Sequence, residues 1–97
     1  MLFAVICTDK PGQEPLRLAN RPDHLEWLKN HVITIHAGGP LLSADGESMT
    51  GSLMIVDAED EDTLREELAN DPYAKAGLFS DVRIERWNWI VGKPDHV

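Results

Sequence analysis

The sequence predicts an α+β domain of ferredoxin-like type, βαββαβ, in which a four-stranded antiparallel sheet carries two helices on one face. Strand-length apolar runs at 2–7, 32–37 and 52–56, with an alternating run at 81–91, supply the four strands. Two stretches with helical spacing, one after the first run and one after the third, supply the helices. A length of 97 residues allows one domain with a thin core.

The first strand, LFAVIC at 2–7, is apolar without alternation, the pattern of a strand covered on both faces. A Lys-Pro-Gly turn breaks it between Thr8 and Glu14. From Pro15 to His31 the pattern turns helical. Leu25, Leu28 and Val32 recur at i, i+3 and i+7 and are expected to face the sheet, with Asp23, Glu26, Lys29 and Asn30 outside. Pro22 either starts the main helix or kinks a longer one.

Val32 to Ala37 form the second strand, closed by Gly38-Gly39-Pro40, where a ligand or another strand can come near the main chain. Leu41 to Gly51 is a polar connection, and Ser52 to Val56 is the third strand. Eight acids between 57 and 71, opposed only by Arg65, introduce the second helix and supply its solvated face. Leu64 and Leu68 face the sheet, and Asp57 or Asp60 caps the helix. Asp71-Pro72 ends it, because a residue before proline is steered away from helical angles. After an AKAGL link the last strand runs over 81–91, with Val82 and Ile84 on one face and Trp87, Trp89 and Val91 on the other. Residues 1–92 thus make one domain, and 93–97 are expected to form a flexible tail.

Two helices cover one face of such a sheet, yet strands one and three are apolar on both. Each side chain left bare forgoes about 1.5–3 kcal/mol of burial. A second copy of the sheet is the natural cover, so a homodimer built as a dimeric α+β barrel is expected.

Seventeen acids against nine Lys and Arg leave a net charge of −8, which repels phosphate backbones and anionic membranes, so neither nucleic acid nor a membrane surface is expected as a partner. No run approaches the ~20 apolar residues of a bilayer span. The N-terminal run has neither a basic flank nor a cleavage site, so a cytoplasmic location is expected. Cys7, the sole cysteine, reads as a small buried hydrophobe. No GxGxxG, P-loop, CxxC or HExxH stands in the chain, and neither a metal nor a cofactor is expected.

Four histidines remain. His96 falls in the tail and reads as solvated. His31 lies at the end of the first helix, where an imidazolium suits the negative end of the dipole. His36, beside the glycine pair, is either half-buried structure or a site residue. His24 sits on the margin of the apolar stripe, where it is a packed boundary residue unless a carboxylate reaches it. Asp71 is the best candidate, because Pro72 biases it to an extended conformation beside the first helix. A carboxylate accepting from one imidazole nitrogen fixes the tautomer and leaves the other to take a substrate proton, the arrangement of a general base.

Arg21-x-x-His24-x-x-Trp27-Leu28, Gly38-Gly39-Pro40-Leu41, Gly51, Asn70-Asp71-Pro72-Tyr73, Ala76-Gly77-Leu78 and the stretch from Val82 to Trp87 resemble the YciI, or YCII-related, family. The resemblance runs from Leu2 to about Val91. It implies a dimeric ferredoxin-like α+β barrel with a His-Asp dyad, which falls here on His24 and Asp71. Reaction type is not inherited, since a relative acts as a dehydrochlorinase and similar barrels include muconolactone isomerases and cofactor-free monooxygenases. Tyr73, where relatives often carry phenylalanine, and Trp27, where they often carry tyrosine, give the pocket its own shape and polarity.

The function expected is that of a cofactor-free small-molecule enzyme of lyase or isomerase type, with His24 as base and Asp71 orienting it. Gly39, Pro40, Tyr73 and His36 are its expected binding residues, and Arg21 holds an anionic group. The alternative is a non-catalytic module that holds a small metabolite in the same pocket.

Overall fold

A computed structural model of the chain describes residues 1–29 and 32–97. The elements are β1 (Leu2–Asp9), α1 (Glu14–Trp27), β2 (Thr34–Leu42), β3 (Met49–Asp57), α2 (Glu61–Ala69), a short α3 (Pro72–Lys75) and β4 (Phe79–Arg86). All neighbouring strands pair antiparallel in the order β2-β3-β1-β4, the ferredoxin-like arrangement.

The core lies between sheet and helices. In β1 the odd residues Phe3, Val5 and Cys7 are buried, while Leu2, Ala4 and Ile6 on the opposite face are only partly covered. Val56, Met54 and Ser52 of β3 stand opposite Phe3, Val5 and Cys7 and point the same way. Leu64 and Leu68 of α2 close the layer, as their spacing predicts. Asp60 is the residue that caps α2, its carboxylate accepting from the Thr63 amide at 2.7 Å. Asp57 instead accepts from the N-terminal ammonium at 2.8 Å.

Four expectations need correction. Of the expected inward stripe of α1 only Leu28 packs against the core: Leu25 is 43% exposed and Val32 58%, and the buried residues of this helix are Arg17 and His24. The helix runs through Pro22, which sits on the solvent side, where the unpaired Leu18 carbonyl can meet water. Strand β2 does not close at the glycine pair but continues through Gly38, Gly39 and Pro40, opposite Met54, Leu53 and Ser52. It is an edge strand, where a proline is tolerated. The connection from β2 to β3 is correspondingly shorter, 43–48, and β3 already begins at Met49. The last strand is displaced towards the N-terminus, running over Phe79–Arg86, and Phe3 and Arg86 form its final pair.

After β4 the Trp87 amide donates to the Leu2 carbonyl at 3.1 Å, and the chain passes to the other edge of the sheet. There Trp89 meets the His36 ring edge-on at 6.0 Å, and His96 lies 6.3 Å from the same ring. Asp71-Pro72 ends α2 as its chemistry requires, but the chain re-enters a helix at once, and α3 stops at Gly77, whose φ of 73° is open to glycine at no cost. The reading of His31 as a helix cap lies outside the described residues.

Candidate active site

The first turn of α3 positions the acidic partner. Pro72 fixes the helical entry, Asp71 is extended at ψ 126°, and its Oδ1 accepts from the Tyr73 amide at 3.0 Å. The same oxygen lies 2.8 Å from His24 Nδ1. With an ionised carboxylate, which only accepts, Nδ1 is the donor of this bond and Nε2 is the nitrogen left with a lone pair. Both groups are withdrawn from water, with His24 8% exposed and Asp71 1%.

Two aromatic rings fix the imidazole plane. Tyr73 stacks on it at 4.0 Å between centroids and 14° between planes, and Trp27 lies 5.9 Å away at 29°. The Arg17 guanidinium also lies over the Tyr73 ring, at 4.6 Å. Arg17 and His24 are seven residues apart on one helix, about 10.5 Å along its axis. The Tyr73 ring fills that gap.

Arg17 is only 3% exposed and is paired with the equally withdrawn Asp9: Nε donates to Oδ2 at 2.7 Å and Nη2 to Oδ1 at 2.9 Å. Nη2 also donates to Ser52 Oγ at 2.9 Å. Burial alone would lower the Arg17 pKa, but the hydrogen bonds and charge of Asp9 outweigh it and hold the guanidinium above its ordinary value. Burial raises the Tyr73 hydroxyl above its ordinary range, with the Arg17 charge opposing, so at neutral pH it is an uncharged phenol.

These groups border a cavity of about 230 Å³ between α1 and the β2–β3 side of the sheet. Arg21, His24, Gly39, Pro40 and Tyr73 all line it, so the structure brings together five of the residues singled out from sequence, with Asp71 behind His24. His36 is a different case. The pairing register slips at this residue, between Ile35 and Ala37, and its ring packs with Trp89 and His96 instead of lining this cavity. Arg17 and Ser52 were missed, because an arginine in an amphipathic helix reads as surface. The available signal was its spacing of seven from His24 together with Asp9 at a core-facing register of β1.

A buried imidazole held by a carboxylate through one nitrogen, at the wall of a small cavity, defines a class of site able to move a proton to or from a small molecule. The chain belongs to the YCII-related domain family, whose profile matches residues 1–88. It is 40% identical to 5-chloro-2-hydroxyhydroquinone dehydrochlorinase (TftG) of Burkholderia phenoliruptrix, solved in complex with 2,5-dihydroxybenzoquinone. The two superpose with a TM-score of 0.81 over 91% of this chain and 94% of that one. An uncharacterised protein of Haemophilus influenzae is 32% identical over 95 residues, 88% of this chain and 94% of its own length. Derivative of benzaldehyde biosynthesis cluster protein C of Emericella nidulans is 42% identical over 72 residues, 66% of this chain and 74% of its own.

Proposed function

We propose that this chain is an enzyme that works without a cofactor on a small organic molecule, with His24 as general base and Asp71 as the group that orients it. His24 Nε2 takes a proton from carbon or oxygen of the substrate, and an elimination or an isomerisation follows. The observation that carries this reading is the 2.8 Å bond between His24 and Asp71 at the edge of a cavity large enough for one ring. Similarity to a dehydrochlorinase favours elimination, with loss of chloride from a chlorinated hydroxyhydroquinone as its model reaction. We propose further that two copies pack sheet to sheet, covering the face of β1 and β3 that the helices leave open.

The test is chloride release from 5-chloro-2-hydroxyhydroquinone. The wild-type chain should release it catalytically. His24→Ala should lose about 10²–10⁴-fold in rate, and Asp71→Asn, which keeps the shape of the cap, a smaller part of that, both with an unchanged circular dichroism spectrum. Undiminished turnover by His24→Ala removes the base assignment. Saturable binding of the compound with no release of chloride marks the chain as a binding module instead.

A further inference from the structure

The two halves of the cavity differ in kind. Glu14 Oε2 accepts from the Met49 amide at 2.6 Å, which sets the start of α1 beside the start of β3, and Arg17 donates to Ser52 further along both elements. The two elements therefore run the same way, and the polar lining belongs to their first half. His24 comes next on α1. Beyond it the lining is Leu28, Met54 of β3 and, on antiparallel β2, Gly38 opposite Met54 and Ile35 opposite Val56. None of these four carries a polar side chain.

Gly38 stands out among them. A glycine inside a strand weakens it, and is explained where φ is positive or where another group comes too close for a side chain. Neither holds here. The φ of Gly38 is not positive. A Cβ there would meet Met54 Cγ at 3.4 Å, Ile35 Cγ2 at 3.7 Å and the Leu53 carbonyl oxygen at 3.8 Å, all ordinary contacts. Gly51 is the contrast, since a Cβ on it would run into the Cys7 carbonyl oxygen. Alanine would thus fit at Gly38 and would stabilise the strand. What the glycine provides is a methyl-sized space in the wall of the cavity.

Resting on the reading of this cavity as the substrate site, we propose that its far half receives one compact apolar substituent of the substrate ring, a halogen or a methyl group, and that Gly38 is the residue that sets the size of the group admitted. The hydroxyl end of the ring takes the polar half, with His24 between. An apolar substituent gains by leaving water for walls of the same kind, a methyl-sized group by roughly fourfold in affinity. A hydroxyl of the same size loses its water there and finds no side chain to replace it.

The experiment titrates phenol, 4-methylphenol, 4-chlorophenol and 4-hydroxyphenol against the full chain. The methyl and chloro compounds should bind the wild type roughly fourfold more tightly than phenol, and 4-hydroxyphenol no more tightly than phenol. Gly38→Ala should abolish that advantage and Gly38→Val reverse it, while the urea midpoint of Gly38→Ala stays at or above that of the wild type. Equal affinity of all four compounds for the wild type overturns the inference, as does the absence of binding by any of them. So does an advantage that survives Gly38→Val, or a lower urea midpoint for Gly38→Ala, which would make the glycine a structural one. The preference is a ratio of affinities and is read without turnover. Chloride release with no preference therefore removes the pocket and leaves His24 as base, and a preference with no chloride release does the opposite.

Discussion

One oxygen of Asp71 caps a helix and holds an imidazole at the same time. That combination explains why half of the site can be read from sequence. Asp-Pro is a local signal, since proline dictates the backbone of its neighbour, and the His24 contact follows once α3 begins at Pro72 against α1. The Arg17–Asp9 pair had no such signal, because its partners are set by the β1 register and by how α1 is rotated. Cys7 was legible as core, and its chemistry follows. Burial, helped by the charge of Asp71, pushes its thiol from its ordinary 9.0 up to about 12. A thiol reagent at pH 8 should therefore leave the native chain unmodified and label it rapidly once denaturant is added; prompt labelling of the native chain would contradict the burial. The sign for stability follows too. The unfolded chain releases this proton first, so what Cys7 contributes is whole below about pH 9 and declines as the pH rises towards 12.

Among the elements, the central ones were legible and the edges were not. β1, β3 and α2 carry apolar side chains whose spacing states their faces. β2 escaped because Gly38-Gly39-Pro40 has the composition of a turn, and only the unbroken ladder offered by β3 keeps it extended. β4 was misplaced because Trp87 and Trp89 alternate like strand residues, although the ladder with β1 ends at Arg86. The apolar stripe assigned to α1 holds only at Leu28: the buried positions of this helix are Arg17 and His24, which border the cavity, and Leu25 is left at the rim. Gly51 gives a test of the sheet itself. It stands between Thr8 and Leu41 in the two ladders, and a Cβ there would run into the Cys7 carbonyl oxygen. Gly51→Ala should cost about 1–3 kcal/mol in urea unfolding, with the fold retained. A neutral result would mean that β1 and β3 are further apart than described.

At the scale of the whole molecule the open face of the sheet is what the proposed dimer rests on. Ala37, Leu41, Leu53 and Ile55 line a shallow apolar groove there, and Leu53 is 42% exposed. The single chain thus answers the non-alternating first strand only in part: one face is buried and the other waits for cover. Sedimentation should give a particle of twice the 10.8 kDa chain, and Leu53→Arg should shift it to the single chain by placing a charge in the interface. A wild-type chain that sediments singly at micromolar concentration would end the dimer proposal.

The buried pair of Asp9 and Arg17 has a consequence of another kind. Losing either partner strands the other at a cost of about 3–5 kcal/mol, a large share of what holds a domain of this size together. Losing both costs far less. The two positions are therefore locked for any lineage that changes one codon at a time, and this end of the cavity is inherited, or abandoned, as a unit.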